Sequence, residues 1–437
     1  MRFDHFRAPP MAGSASSMDR RSFLRLGGTG LAGTVLLGTT AGGVLARTGS
    51  SLKAEFKAAA RKTGVPVELL LAMGYVNTLW EMPPPAASEY KEGDLHGRGA
   101  YGIMQLLQKP SRNTLGRAAS LTGLSEKKLK HVRAANVWGG GAVLAATAGK
   151  SKPKNLNGWQ EAVAEYGGTE LYTVEVYETL KVGAALSIST GERLALAPQA
   201  GVRVPQVLTT RTSGAADYAR ASWRPAHYGN YTSANRDPAR IDQIVLHVAQ
   251  GSYSGTINWF QDSEASASSH YVVSPSGLVA QCVLAEDIAW HAGWWRTNTR
   301  SIGIEHAGYV DNPNCFTPEM YRASAQLSAY LCRRFGIPVD HRHIIGHDQV
   351  PGCSGEGGGA DCHTDPGPHW DWTRYLPLVR RYMEARPDEA DSDPEIIPPE
   401  SDPIPPESDP IPPESDPIPP ESDPIPPESD PETIPPP

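Results

Sequence analysis

The sequence predicts a multidomain protein: an all-α helical domain, then an α/β domain with a mixed β-sheet and packed helices, then a disordered proline-rich tail. Three patterns lead to this prediction. Residues 52–186 have helical composition, residues 222–383 alternate between strand and helix patterns, and residues 387–437 repeat a proline-rich heptapeptide. At 437 residues the chain is also too long for one ordinary core, which favours several folded units.

Residues 1–46 are typical of a twin-arginine export signal. Arg20 and Arg21 precede an uncharged, glycine-rich apolar stretch over residues 26–46, whose end offers a cleavage site. The alternative is a helix that remains as a membrane anchor, but the glycines favour removal. We therefore expect a mature protein outside the cytoplasm, secreted or in the cell wall, with no stable membrane anchor.

The first folded region is predicted to be helical. Leu52–Lys62 has helical composition, Pro66 opens an apolar helix over Val67–Val76, and a further helix covers Glu161–Tyr166. Few periodic signals follow, so residues 187–221 are predicted to form a linker.

Strands and helices then alternate between about Trp223 and Met383. Short apolar runs predict strands, and Thr317 and Gly336 are typical of the beginning and end of a helix. The predicted strands are Ile244–Val248, Tyr271–Val273, Leu278–Val283 and Ile302–Glu305, and the predicted helix is Met320–Phe335.

The C-terminal segment repeats Glu-Ser-Asp-Pro-Ile-Pro-Pro from Glu400, Glu407, Glu414 and Glu421. Three prolines per repeat exclude a helix, so the period of seven does not indicate a coiled coil. Proline stiffness and repulsion between carboxylates predict an extended, solvated segment. It could hold the folded domains away from a surface, or it could only increase solubility.

The charge of the chain is divided unevenly. Sixteen of the 48 acidic residues follow Arg386, whereas none of the 40 lysines and arginines do, so residues 1–386 carry a formal charge of +8. A mildly basic body fits an anionic partner such as a bacterial wall. The sequence has no recognition motif for nucleic acid, and we expect none as a partner.

All five cysteines lie between Cys282 and Cys362. Export permits disulfides, and Cys353 and Cys362 flank a glycine-rich insert that a bridge would close, so we favour this pair. Cys315 and Cys332 are unsuitable, because a continuous helix between them would hold the two side chains too far apart.

Two histidines and one aspartate are candidate metal ligands. His247 lies in a predicted strand, and His347 and Asp365 follow in Gly346-His-Asp and Thr364-Asp-Pro. Two imidazoles and a carboxylate leave a fourth tetrahedral position open, as a catalytic zinc requires. Glu305 stands in another apolar run, where it could act as a base or only pair with a buried cation.

These residues belong to a series of motifs that resembles the zinc-dependent N-acetylmuramoyl-L-alanine amidases of the type-2, peptidoglycan-recognition superfamily. The resemblance covers residues 222–383, with all motifs in the family order. The motifs are Val245-Leu-His247, His270-Tyr-Val-Val, Ala289-Trp-His-Ala-Gly293, Ser301-Ile-Gly-Ile-Glu305, Gly346-His347 and Thr364-Asp-Pro-Gly-Pro368.

The resemblance implies an enzyme that cleaves the amide between N-acetylmuramic acid and L-alanine in peptidoglycan through a water bound to one zinc ion. His247, His347 and Asp365 match the zinc ligands, and Glu305 matches the general base. His363 stands where many relatives carry the lysine that stabilises the oxyanion; protonated, it could do the same.

Two further assignments remain open. Trp290 and His291 could line a groove for sugar or peptide, although ordinary packing would also explain them. Cys362 could replace Asp365 as a ligand, because a neighbouring branch of the superfamily uses cysteine; it could not then bridge Cys353.

The helical region resembles a lysozyme-like, transglycosylase-type domain in Gly64–Met73, Ala100–Leu106 and Glu161–Gly168. In that family a glutamic acid ends the first long helix and protonates the glycosidic oxygen. Asn77 takes its place here, with Glu81 as a weak substitute. We expect a domain that binds glycan or supports the amidase. The alternatives for the whole chain are a non-catalytic peptidoglycan receptor and a muramidase acting through the helical domain.

Overall fold

The N-terminal region is helical in the computed structural model, which describes residues 50–206, 216–350 and 363–385. Seven helices account for most of it, with three short strands inserted after the second helix. The helices are α1 (Leu52–Thr63), α2 (Val67–Thr78), α3 (Thr114–Thr122), α4 (Glu126–His131), α5 (Arg133–Thr147), α6 (Gln160–Gly167) and α7 (Glu170–Val182); the strands are β1 (Ala100–Tyr101), β2 (Leu106–Lys109) and β3 (Arg112–Asn113).

Local signals explain where the first helices begin and end. Ser51 accepts a hydrogen bond from the backbone N–H of Ala54, and Gly64 ends α1 with a left-handed φ of 72°. Pro66 precedes α2, as its fixed φ and missing donor favour. The predicted helices in this region are therefore confirmed.

The predicted linker begins inside a folded hairpin. Strands β4 (Ala184–Ser187) and β5 (Arg193–Leu196) pair antiparallel, and the side chains of Leu194 and Leu196 are buried in the core of the helical region. The first residues of the 187–221 segment thus belong to the helical region, because they contribute apolar side chains to its core.

A six-stranded mixed sheet forms the second region. Its strands are β6 (Ser222–Trp223), β8 (Gln243–Val248), β9 (Tyr271–Val273), β10 (Val279–Gln281), β12 (Ser301–His306) and β13 (Ile344–Gly346), and a separate pair joins β7 (Tyr231–Thr232) to β11 (Ile288–Ala289). The strand order is β13-β8-β12-β9-β10-β6, with β13, β8, β12 and β9 parallel, β10 antiparallel to β9, and β6 parallel to β10.

Four helices accompany the sheet: α8 (Tyr253–Gln261), α9 (Trp295–Asn298), α10 (Pro318–Phe335) and α11 (Trp372–Glu384). The Thr317 hydroxyl accepts a hydrogen bond from Met320 N–H at the beginning of α10, and Gly336 ends that helix at φ 70°. The prediction of helices and a mixed sheet is confirmed for the described residues.

The two faces of the central strands carry different kinds of side chain. Ile244 and Leu246 of β8 and Ile304 of β12 pack in the core shared with α10 and α11. Since side chains alternate along a strand, His247 and Glu305 lie on the opposite face. The sheet is covered on both sides, which explains why its central strands are apolar throughout.

Several expectations concern residues outside the described ranges, namely the signal segment 1–46, the repeat tail 387–437 and the pair Cys353 and Cys362. Within the described ranges, Cys282, Cys315 and Cys332 are free thiols. Helix α10 is continuous, which confirms that Cys315 does not bridge Cys332. No helix in the described part of the chain combines the length and the apolar character needed to cross a membrane.

The helical region packs directly against the sheet region. An ion pair joins Lys109 to Asp262, and the Ser111 hydroxyl donates a hydrogen bond of 2.7 Å to Glu264. Trp259 of α8 donates from its indole N–H to the carbonyl of Asp94 at 3.1 Å. These contacts hold the segment around Asp94 beside the carboxyl ends of the central strands.

Candidate metal centre

Three adjacent parallel strands bring the predicted ligands and base into one row. In the sheet register, Glu305 of β12 lies beside His247 of β8, and Gly346 of β13 lies beside Leu246. His347 therefore follows β13 at the level of His247. Ligand sites commonly form at the carboxyl ends of parallel strands, where loops leave the sheet.

Asp365 reaches this row from the chain segment before α11. Its backbone carbonyl accepts a hydrogen bond of 2.8 Å from Asp348 N–H, and its Oδ2 accepts one of 3.4 Å from Val248 N–H. Its Oδ1 lies 3.1 Å from Nδ1 of His347, and Oδ2 lies 3.3 Å from Nδ1 of His247. The aspartate is thus fixed between the two histidines.

The three side chains fit a single metal ion in their geometry. Each offers one ligand atom, and these atoms lie within 4.8 Å of one another. The exposed fractions of His247, His347 and Asp365 are 0%, 3% and 2%. Among the described residues, Nδ1 of His247 and Nε2 of His347 have no hydrogen-bond partner, although both atoms are buried. Buried polar atoms of this kind require a partner such as a metal ion.

The charges of the three side chains also suit a metal. Burial and the neighbouring His347 lower the pKa of His247 to about 3, so its imidazole is neutral. Burial alone would raise the pKa of Asp365, but His347 and the close approach of both imidazoles to the carboxylate hold that pKa well below its usual range. Neutral imidazoles and an ionised carboxylate are the protonation states in which these groups bind zinc.

His291 lies behind His247 and not in a groove. Its Nδ1 is 3.0 Å from Nε2 of His247, and its Nε2 is 3.1 Å from the Ser301 hydroxyl. The ring is fully buried, and it packs so closely on Gly303 that a Cβ there would approach it to 2.5 Å. The expectation that His291 lines a substrate groove is therefore wrong; its contacts orient His247 instead.

Trp290 has a different environment. Its indole N–H donates a hydrogen bond of 2.9 Å to the Thr232 hydroxyl, and its half-buried ring borders a surface cavity of about 350 Å³ that Gly293 and Trp295 also line. A contact between Trp290 and substrate stays a prediction.

Glu305 is a buried carboxyl group next to the candidate ligands. Its exposed fraction is 0%, and neither side-chain oxygen has a hydrogen-bond partner within the part of the chain that the structure describes. Burial raises its pKa well above the usual range, the charge of Asp365 raises it further, and Arg98 opposes both effects. A carboxylate held this way binds a proton readily, as a general base must.

His363 stacks on His347, with ring centroids 3.5 Å apart and an interplanar angle of 20°. Burial and His347 lower the pKa of His363 to about 4. Burial thus disfavours the protonated His363 that the sequence predicts as an oxyanion donor, because a positive charge there would lose its hydration. Its neighbour Cys362, the alternative ligand, lies outside the described residues.

Two residues near the site come from the helical region and were not predicted. His96 interacts electrostatically with Asp365 and His347, and its Nε2 is buried without a hydrogen-bond partner among the described residues. Arg98 interacts in the same way with Glu305. The glycines around them in Leu95-His-Gly-Arg-Gly99 indicate a tight turn, but no local pattern says which distant strands such a turn contacts.

In the helical region, Asn77 stands where the sequence resemblance predicts the position of a catalytic acid, and its side-chain amide is hydrogen-bonded. The Asn77 side chain is 4% exposed and donates a hydrogen bond of 3.2 Å to the carbonyl of Ile103. Glu81, the possible substitute, accepts hydrogen bonds of 2.6 and 2.7 Å from the backbone and hydroxyl of Ser189. Glu81 thus anchors the β4–β5 hairpin.

A family model described as N-acetylmuramoyl-L-alanine amidase matches residues 237–368, which include the candidate ligands and Glu305. The chain is 31% identical to N-acetylmuramoyl-L-alanine amidase A of Achromobacter lyticus over 175 residues, which cover 38% of this chain and 96% of that relative. It is 29% identical to 1,6-anhydro-N-acetylmuramyl-L-alanine amidase AmpD of Haemophilus influenzae over 119 residues, which cover 26% of this chain and 59% of that relative.

Solved structures give weaker global matches. A selenomethionine AmpD derivative has a TM-score of 0.29 at 25% identity, over 37% of this chain and 96% of that chain. The Staphylococcus aureus hydrolase AmiA in complex with its ligand has a TM-score of 0.30 at 15% identity, over 37% of this chain and 82% of that chain.

Proposed function

Because this chain belongs to the N-acetylmuramoyl-L-alanine amidase family, we propose that it is a zinc-dependent hydrolase that cleaves the amide bond between N-acetylmuramic acid and L-alanine in peptidoglycan. The observation that supports this function best is the buried row of His247, His347, Asp365 and Glu305 at the carboxyl ends of three strands.

His247, His347 and Asp365 would hold one zinc ion between them, with Asp365 supplying the negative charge. When bound, a zinc ion polarises the amide carbonyl and lowers the pKa of water to about 7. His291 keeps His247 in place, because its Nδ1 lies within hydrogen-bond distance of the nitrogen of His247 that does not face the other ligands.

Glu305 is proposed as the general base. It accepts a proton from the attacking water at a carboxylate oxygen as the new C–O bond forms, and it passes that proton to the alanine nitrogen as the C–N bond breaks. The absence of hydrogen bonds to its oxygens, within the described residues, leaves both oxygens available for this transfer. His363 remains a candidate for the oxyanion donor, acting from its neutral N–H.

The remaining proposals rest on the sequence. We propose export by the twin-arginine route, so that the enzyme meets peptidoglycan in the wall, and a lysozyme-like fold for residues 52–186. The hydrogen-bonded Asn77 argues against glycan cleavage there, since a carboxamide is a poor proton donor. The complete ligand set argues against a receptor without activity.

The test is digestion of purified peptidoglycan by the full-length protein, with zinc content measured on the same sample. We expect about one zinc per chain and new alanine amino termini without new reducing sugars. Reducing ends without alanine amino termini would contradict the proposal and favour a muramidase.

Replacing Glu305 separates a hydrolase from a receptor. We expect Glu305→Ala to retain zinc and wall binding but to lose roughly 10²–10⁴-fold in rate, the range for removal of a general base. Glu286→Ala, at an exposed glutamate of the same region, is the matched control and should retain the wild-type rate.

A further inference from the structure

A loop of the helical region, Lys91–Arg98, reaches the carboxyl ends of the strands that carry the candidate site. Gly93 donates its backbone N–H to the carbonyl of Ala265 at 2.9 Å, and Asp94 accepts the hydrogen bond from Trp259. At the end of the loop, the Arg98 guanidinium donates to the carbonyl of Gln250. The loop lies outside residues 237–368, which the amidase family model matches.

The loop closes on itself and is therefore rigid enough to aim a side chain. Lys91 N–H donates to the carbonyl of Gly97 at 3.0 Å, and Gly97 N–H donates to the carbonyl of Asp94 at 3.1 Å. His96 N–H donates to the Asp94 carboxylate at 2.8 Å. A Cβ on Gly97 would lie 2.2 Å from the carbonyl oxygen of Lys91, so this position requires glycine.

Arg98 connects the ends of the two strands that carry His247 and Glu305. It donates a hydrogen bond to the carbonyl of Gln250, three residues after His247, and it interacts electrostatically with Tyr309, four residues after Glu305. The guanidinium fills the space beside Gly251, where a Cβ would come within 2 Å of its atoms. Gly251 and Gly308 pair at this point through two backbone hydrogen bonds of 2.8 Å, so Arg98 lies across the junction.

The charges at the junction are complementary. Arg98 is 4% exposed, its Nε has no hydrogen-bond partner within the described part of the chain, and its positive charge acts on the buried Glu305 carboxylate. The Arg98 guanidinium thus lies in the same buried region as the carboxyl group of Glu305, beside the ends of the two strands.

We propose that Arg98, supplied by the helical region, is a positioning residue of the amidase site that holds Glu305 in register with His247. This inference rests on the proposed function of Glu305 as the base. It means that residues 237–368 do not contain the whole site and that the helical region completes it.

The first test compares Arg98→Met and Arg98→Lys with Lys109→Met in the full-length protein. Lys109 also joins the two regions, through Asp262, but it contacts none of the candidate site residues, so it controls for loss of packing alone. We expect Arg98→Met to lower kcat by roughly 10²-fold with KM and zinc content unchanged, as misplacement of a catalytic group does. Arg98→Lys should recover part of kcat, and Lys109→Met should leave kcat near wild type.

The second test measures coupling without using activity. In thermal unfolding, Arg98→Met should lower Tm by a different amount in the wild-type background than in Glu305→Gln, because side chains that interact have non-additive effects on stability. Equal Tm losses in both backgrounds, or equal kcat losses in Arg98→Met and Lys109→Met, would overturn the inference. Absence of alanine release by the wild type would instead refute the proposed function and leave the Tm comparison interpretable.

Discussion

The two regions differ in how their buried polar side chains are satisfied. At the strand ends of the sheet region, Glu305 and one nitrogen each of His247 and His347 are buried without hydrogen-bond partners among the described residues. In the helical region, Asn77 is buried too, but it is hydrogen-bonded to Ile103. A fold tolerates unsatisfied buried polar atoms where a ligand supplies the missing partner, whereas a satisfied amide indicates a structural role.

Replacing Asp365 with alanine should have the largest effect on the sheet region's candidate site. Without this carboxylate the two histidines lack their only anionic partner in the ligand set, so we expect loss of stoichiometric zinc and a fall in amidase rate of several orders of magnitude. Zinc analysis and alanine release measure the two effects on one sample. A variant that keeps both zinc and activity would show that Asp365 is not a ligand.

Replacing His291 with alanine tests whether the residue behind His247 matters. We expect zinc affinity to fall by about 10- to 100-fold, the usual effect of removing a residue that orients a metal ligand. Competition with a chelator measures this affinity. His341→Ala, at an exposed histidine, should leave it unchanged; equal effects in the two variants would argue against an orienting role for His291.

Glu175 links the two regions and makes their contact depend on pH. It lies on α7 and interacts with Ser254 of α8, and burial raises its pKa from 4.5 to about 7 although Ser254 opposes this shift. A raised pKa means that the folded state favours the protonated form. The contribution of Glu175 to stability is then fully present below about pH 4.5 and is lost as the pH rises towards and through 7, by roughly 2 kcal/mol between pH 5 and pH 8.

Urea unfolding at pH 5 and pH 8 checks this dependence. Glu175→Gln should remove most of the difference between the two free energies of unfolding, since glutamine does not titrate. Glu89→Gln, at an exposed glutamate of the same region, should preserve it. The prediction fails if the wild type has a larger free energy of unfolding at pH 8 than at pH 5 and Glu175→Gln shows the same order. Other titrating groups would then determine the pH dependence of stability.

Replacing Asn77 with glutamate should have the smallest effect on catalysis. A carboxyl group there is covered by the packed protein, since Asn77 is 4% exposed and the Tyr309 hydroxyl lies 3.5 Å from its carbonyl oxygen. We expect no new reducing ends from peptidoglycan and an unchanged kcat for alanine release in the folded variant. Appearance of reducing ends would show that the helical region is one substitution away from glycan cleavage.

Much of the fold and the central part of the candidate site could be predicted from the sequence. Thr317 and Gly336 mark α10 because caps are local, and the apolar runs around His247 and Glu305 predict strands because periodicity is local. His291 was misplaced for the opposite reason. No local pattern shows that the folded chain packs the ring of His291 against His247.

By itself, the sequence determined the order of the regions, the strands and helices, and the identity of the two histidines, the aspartate and the glutamate at the strand ends. Only the tertiary structure decided that these side chains share one row, that His291 lies behind His247, and that Arg98 bonds to the Gln250 carbonyl across 152 residues of chain. The reason is physical. Backbone preferences and side-chain periodicity act over a few residues, whereas burial and charge compensation depend on which distant segments fill the same space.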